Sequence, residues 1–269
     1  MTTQPIDAVR GSFICRKFRL ILIALAILLF AASITANGLL YRQVQSNYRS
    51  LSETQLDPYG LKYAAFPADV PTDGISEQLP AVLFFGDSRA RDWPAPAIAG
   101  YRIVNRGIGG QTTEQVRGRL DAHVTPLSPR IVVIQAGIND LKAIPLLPHR
   151  RNQIVADCRD NLRYMVNRAR DHGATVVVST IFPPGDVPLQ RQMVWSSDIE
   201  KAVEEVNTAV RGWASDRVLV LDAWKVLAVD GRLRDGYGLD TLHLNPTGYA
   251  VLNTELETAL RAMQSSGTR

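Results

Sequence analysis

Four short stretches hold the groups from which nucleophilic chemistry is built. They are Gly86-Asp87-Ser88, Asn105-Arg106-Gly107-Ile108-Gly109-Gly110, Gly137-Ile138-Asn139-Asp140 and Asp240-Thr241-Leu242-His243. A serine hydroxyl is a weak nucleophile until a base stands beside it, and histidine, with a reference pKa of ~6.5, suits that task near neutrality. Asp240 precedes His243 by three positions, a spacing at which a tight or helical turn lets a carboxylate hold one imidazole nitrogen and fix the tautomer. Each stretch also has a plain structural reading. Gly-Asp-Ser is common turn chemistry, Asn139-Asp140 suits a helix cap, and a lone histidine is more often a satisfied surface group than a catalyst. The glycine run resembles a nucleotide loop, but Thr112 stands at the sixth position of G-x-G-x-x-G and the run follows the second strand-like stretch, so a dinucleotide site is excluded. His123, His149, His172 and His243 have no ligand spacing such as H-x-x-x-H, so no metal is expected, and nothing calls for a soluble cofactor.

The elements that must position these groups alternate along the chain. AVLFF (81–85), RIVN (102–105), IVVIQA (131–136), TVVVSTIF (175–182) and VLVLDA (218–223) are apolar runs of the length of buried parallel strands. Helical patterns fill the gaps at 112–124, 150–172, 198–214 and 246–263. Ser197 with Glu200 predicts a capping box for the third, and Asn245-Pro246 an N-cap and first-turn proline for the last. Five strands interleaved with helices predict a five-stranded parallel sheet in a flavodoxin-like three-layer α/β/α sandwich over 80–264, followed by a short tail, 265–269. In such sheets ligands bind beyond the carboxyl ends of the strands, where the first three stretches fall.

Taken together, the order and placement of the four stretches resemble the SGNH hydrolases, or GDSL-like esterases and lipases, and look closest to the branch of platelet-activating-factor acetylhydrolase-like enzymes. The name-giving residues of that family map onto Ser88 in GDS, Gly110 in NRGIGGQT, Asn139 in GIND and His243 in DTLHLN, with Asp240 three residues before the histidine. The resemblance spans roughly 82–252. It implies an α/β/α sandwich, a metal-free serine mechanism, and ester or thioester substrates. It also implies a triad of Ser88, Asp240 and His243, and an oxyanion hole from the backbone N–H groups of Ser88 and Gly110 and the side-chain amide of Asn139. Gly107 and Gly109 are assigned to loop shape, and Asp87, Asn105 and Asp140 to scaffold that ties the loops together. Arg89 stands where the family usually has leucine, which bears on substrate preference rather than chemistry. Ordinary α/β-hydrolases are set aside because Ser88 lacks the G-x-S-x-G context and the acid lies only three residues from the histidine.

Leu20 to Leu40 runs 21 residues without a charge, enough for a helix to cross a ~30 Å hydrocarbon core. Arg10, Arg16, Lys17 and Arg19 precede it. The positive-inside rule then predicts a cytoplasmic tail (1–19), a transmembrane anchor (20–40), a stalk (41–79) and a domain on the periplasmic or extracellular side. A cleaved signal peptide is the alternative, and the domain is exported either way. The tail also carries +3 of the net charge of +4, so no basic face remains on the domain and nucleic-acid binding is not expected. Cys15 precedes the apolar run and Cys158 lies in a helical stretch, so the fold does not rely on a disulfide.

The function expected is that of a membrane-anchored serine esterase acting on short acyl or carbohydrate O-acetyl esters. Its partners are a small-molecule or glycan ester and the membrane. An O-acyltransferase acting on an envelope glycan uses the same acyl-enzyme, and a non-catalytic glycan-binding or assembly protein could share the fold. The loop 183–197 is expected to wall the site. Its Met193 and Trp195, with Trp93, read either as a sugar-stacking surface or as packing.

Overall fold

A computed structural model of the chain describes residues 6–64, 66 and 78–266, the side chains of 6–15 and 263–266 excepted. Expectations for residues 1–5, the Cys15 side chain, much of the later stalk (65 and 67–77) and 267–269 lie outside the described residues. The chain divides into two units, Met1–Pro58 and Tyr59–Arg269.

The first unit is one helix, α1 (Ile6–Leu56). Within it Arg16–Leu56 is long and apolar enough to cross a membrane, and its apolar side chains are exposed. The helix does not stop where the apolar run stops at 40. Residues 41–56 continue it, because no proline intervenes before Pro58 and Gln, Arg, Glu and Leu are good helix formers.

The second unit is built on β1 (Ala81–Gly86), β2 (Arg102–Gly107), β3 (Ile131–Gln135), β4 (Thr175–Ser179) and β5 (Val218–Leu221). They form a parallel sheet of order β2-β1-β3-β4-β5. A small antiparallel pair, β6 (Ala228–Val229) and β7 (Arg232–Leu233), stands apart. Between the strands lie α2 (Ser88–Arg91), α3 (Thr113–Gly118), α4 (Leu120–Leu127), α5 (Ile138–Leu141), α6 (Arg151–Asp171), α7 (Leu189–Gln192), α8 (Ser197–Arg211) and α9 (Ala223–Leu227), and α10 (Pro246–Ser266) ends the unit.

The near-continuous apolar strands are explained by burial on both faces. Leu83, Phe85, Val132, Ile134, Val176 and Val178 pack with the apolar sides of α3, α4, α6 and α8. Val82, Phe84, Val133 and Val177 pack with Leu252, Leu256 and Leu260 of α10. Truncating a fully buried side chain such as Phe84 to alanine costs about 3–5 kcal/mol.

Three local expectations differ from what forms. The helix expected at 112–124 is two helices broken at Arg119, whose side chain turns inward. The Ser197–Glu200 capping box is not made: Ser196 is the N-cap, and the Glu200 carboxylate instead accepts from Trp195 Nε1 at 2.8 Å. The fourth strand ends at Ser179, short of 182, because the Asn207 side chain takes over. Its Oδ1 accepts from Ile181 N at 2.7 Å and its Nδ2 donates to Ile181 O at 3.0 Å. The cap expected at Asn245 does form, with Oδ1 accepting from Gly248 N at 3.0 Å.

Candidate active site

β1 lies between β2 and β3, so the chain leaves it to opposite sides and a crevice opens beyond its carboxyl end. Gly86 closes the strand with φ +154°, and a Cβ there would sit 1.7 Å from Gln135 O; only glycine fits. Asp87 then caps α2, its Oδ1 accepting from Arg89 N at 2.8 Å while its own N–H donates to Gln135 O at 3.1 Å. This turn leaves Ser88 as the first residue of α2, 8% exposed. The end of β2 supports α2 from the side. Asn105 Nδ2 donates to Ala90 O at 2.9 Å and its Oδ1 accepts from Gly107 N at 2.9 Å. A side chain at Gly107 would collide with the backbone of Arg91.

The segment 240–243 reaches the same rim just before α10. Asp240 Oδ1 accepts from the backbone N–H of Leu242 (2.7 Å) and of His243 (2.9 Å), folding the carboxylate beneath the imidazole. His243 Nδ1 donates to Asp240 at 2.9 and 3.1 Å. A carboxylate can only accept, so Nδ1 carries the proton and Nε2 is left as an acceptor. Ser88 Oγ donates to it at 2.9 Å. Burial raises the Asp240 pKa, but the hydrogen bonds from the imidazole and the two N–H groups outweigh that and draw it down to about 2. It is anionic throughout the physiological range.

Asn139 and Gly110 stand on the two flanking loops. Asn139, 6% exposed, is the second residue of α5 after β3, and its Nδ2 donates to Gln111 O at 2.9 Å, next door to Gly110. Gly110 adopts φ +77°, and a Cβ there would meet nothing within 4 Å, so its backbone faces open space. Because Gly86 is in register with Gly107 of β2 and Gln135 of β3, all three loops leave the sheet at one level. The residues anticipated as scaffold do tie them: Asp140 accepts from Thr113 N at 2.9 Å and from its Oγ1 at 2.6 Å.

Over residues 72–251 the chain matches the family model of the GDSL-like lipases/acylhydrolases. The chain belongs to that family. Among curated proteins it is 28% identical to the uncharacterized lipoprotein YqeF of Bacillus subtilis over 160 residues, 54% of this chain and 65% of that protein, less than two thirds of the relative's length. Among solved structures it shares its fold with a GDSL-like lipase of Bacteroides thetaiotaomicron (TM-score 0.54, 20% identity, 71% of this chain and 91% of that one). The lipase/acylhydrolase of Enterococcus faecalis is similar (0.50, 24%, 68% and 96%). So is a Streptococcus pneumonia protein described as a platelet activating factor (0.52, 23%, 86% and 98%).

Several polar residues of this GDSL-like acylhydrolase were not singled out by sequence reasoning. Arg119, wholly buried over the Phe85 ring, donates to Gln111 Oε1 (2.6 Å), Arg106 O (2.7 Å) and Gly86 O (2.8 Å). It thereby joins the nucleophile turn to the Gly110 loop, and burial brings its pKa down to about 9. Lys142 donates to Asn139 Oδ1 at 2.6 Å. Arg89, noticed only as a departure bearing on substrate preference, is fully buried: its Nε donates to Leu242 O at 2.7 Å and its Nη1 to Phe182 O at 3.3 Å. It packs the histidine segment against the nucleophile turn. The stretch around Arg89, GDSRARDW, is mainly polar and carries no signal of this burial. Trp93 is core, 2% exposed and donating to Asn253 at 2.7 Å, and Trp195 packs on the other face, which leaves Met193 as the exposed member of the three.

Proposed function

We propose that this acylhydrolase is a membrane-anchored serine esterase of the platelet-activating-factor acetylhydrolase-like branch, working through an acyl-enzyme on Ser88. The observation that carries the reading is the continuous hydrogen-bonded chain Ser88 Oγ, His243 Nε2, His243 Nδ1, Asp240, each link about 3 Å. Ser88 Oγ attacks the ester carbonyl as its proton passes to His243 Nε2. Asp240, already anionic, stabilises the imidazolium without taking the proton. The oxyanion is met by the N–H groups of Ser88 and Gly110 and by the Asn139 amide. Collapse of the tetrahedral adduct breaks the bond to the leaving oxygen, which takes the proton from Nε2. Water then repeats the sequence to release the acid and restore Ser88.

A short acyl group on a polyhydroxylated leaving group is the substrate class favoured. Beside Asp240 lies a cleft of about 250 Å³ lined by Asp186, Arg234, Asp235 and glycine backbone together with Leu233 and Leu239, a mainly polar wall that suits hydroxyls better than a long alkyl chain. The test compares wild type with Ser88→Ala and His243→Ala on an aryl acetate, on acetylated sugars and on a long-chain ester. Loss of at least 10³-fold in kcat in both variants, with unchanged melting temperatures and a preference for acetyl sugars, is the expected result. Undiminished turnover in Ser88→Ala would remove the nucleophile, and preference for the long chain would remove the substrate class. Fluorophosphonate labelling of wild type but not Ser88→Ala checks the same hydroxyl without turnover.

A further inference from the structure

A carboxamide is a dependable donor only if something decides which way round it lies, because its oxygen and nitrogen are nearly the same size. Asn139 is held from both sides by groups that leave no choice. Lys142 Nζ, which has protons and no lone pair, approaches Oδ1 at 2.6 Å. The carbonyl of Gln111, which has lone pairs and no proton, receives Nδ2 at 2.9 Å. Asn139 is 6% exposed, so water has little access to replace either partner. One hydrogen of Nδ2 is taken by Gln111 and the other remains. The local fold supplies the lysine: Lys142 is the C-cap of α5, three residues on from Asn139, so one turn brings its side chain back over the amide.

Resting on the assignment of Asn139 to the oxyanion hole, we propose that Lys142 is a positioning residue for that hole. Its ammonium locks the amide with nitrogen toward the reacting carbonyl and, by drawing charge toward Oδ1, makes the remaining N–H a stronger donor. It acts through Asn139 and does not touch the substrate. The groups that act on Lys142 are Asp87, Arg191, Arg89 and Asp140. Burial lowers its pKa from the ordinary lysine value, Asp87 pulls the other way, and Arg191 and Arg89 lower it further.

The experiment is a double-mutant cycle on the full-length chain in detergent, with Ser88→Ala as the blank and melting temperature as the folding control. Lys142→Met should lower kcat about 10-fold or more with little change in KM, and Lys142→Arg, which keeps a charged donor, should restore most of it. In an Asn139→Ala background the Lys142→Met change should cost almost nothing further. Wild-type kcat should also fall on the alkaline side as Lys142 loses its proton, below the usual lysine range, while Lys142→Arg holds its rate there. Wild-type kcat in Lys142→Met, or a full additional loss on top of Asn139→Ala, overturns the proposal. If Ser88→Ala is dead while Asn139→Ala keeps full kcat, the proposal falls and the serine esterase reading stands. If Ser88→Ala keeps the wild-type rate, the esterase reading itself fails.

Discussion

At the scale of single residues the prediction with the clearest sign concerns the amide. Asn139→Ala should reduce kcat by ~10²–10³ while leaving KM for a small ester nearly unchanged, as measured by steady-state kinetics. Asp240→Asn should be as damaging for a different reason. The carboxamide introduced there can offer an N–H to Nδ1, which favours the tautomer with the proton on Nε2 and leaves Ser88 without a base. Asp240 also links pH to stability. Its folded pKa, about 2, lies below the ordinary 3.8, so its contribution is present above 3.8 and is lost as pH falls through about 2. Acid unfolding of Asp240→Asn should therefore be shallower than that of wild type below pH 4. The juxtaposition of Ser88, His243 and Asp240, the proposed triad, was readable in the sequence because each sits in a short motif whose order is distinctive. Arg89 was read less well. A charged residue in a turn suggests contact with ligand, and nothing in the sequence says that two carbonyls, Leu242 O and Phe182 O, wait inside to receive it.

Between elements, two buried polar residues hold the loops, and both are testable. Arg119→Leu would remove the guanidinium bonds to Gln111 Oε1, Arg106 O and Gly86 O, the last of which keeps a bond from Ile108 N. Losing donors to buried acceptors costs ~1–3 kcal/mol each, so a stability lower by about 3 kcal/mol or more is expected, read as a lower denaturant midpoint at constant m-value. Asp140 joins α5 to the start of α3, and burial, resisted by its bonds from Thr113, pushes its pKa up to about 6 from 3.8. The sign is opposite to that of Asp240. Stability from this group is fully present below 3.8 and is lost as pH rises through about 6. Relative to Asp140→Asn, wild type should therefore gain stability between pH 7 and pH 5, as read by thermal melts. Strands and the long helices α6 and α10 were legible because their apolar periods are sustained. The break at Arg119 and the Ser196 cap were not, since each depends on a partner distant in space or on a side chain with another use, as Glu200 has with Trp195.

For the molecule as a whole, the sheet order was within reach of the sequence because alternating strands and helices admit few parallel topologies. The extent of α1 was not, because hydropathy marks only the apolar part of a helix that runs on to Leu56. Residues from Tyr59 onward form a unit with its own two-faced core. A chain starting there should remain soluble and hydrolyse a dissolved aryl acetate at close to the full-length rate, whereas the full-length chain should sediment with vesicles; a truncated chain without activity would contradict this. His243, the proposed base, lies 155 positions after Ser88 and is presented by the segment that leads into α10. During synthesis the hydroxyl therefore emerges well before its imidazole, and before Leu242 and Tyr249, whose bonds to Arg89 brace the turn. A product clipped ahead of this segment would lose both the proposed base and the helix that covers Val82, Phe84, Val133 and Val177, so hydrolysis and the integrity of that sheet face are forfeited together.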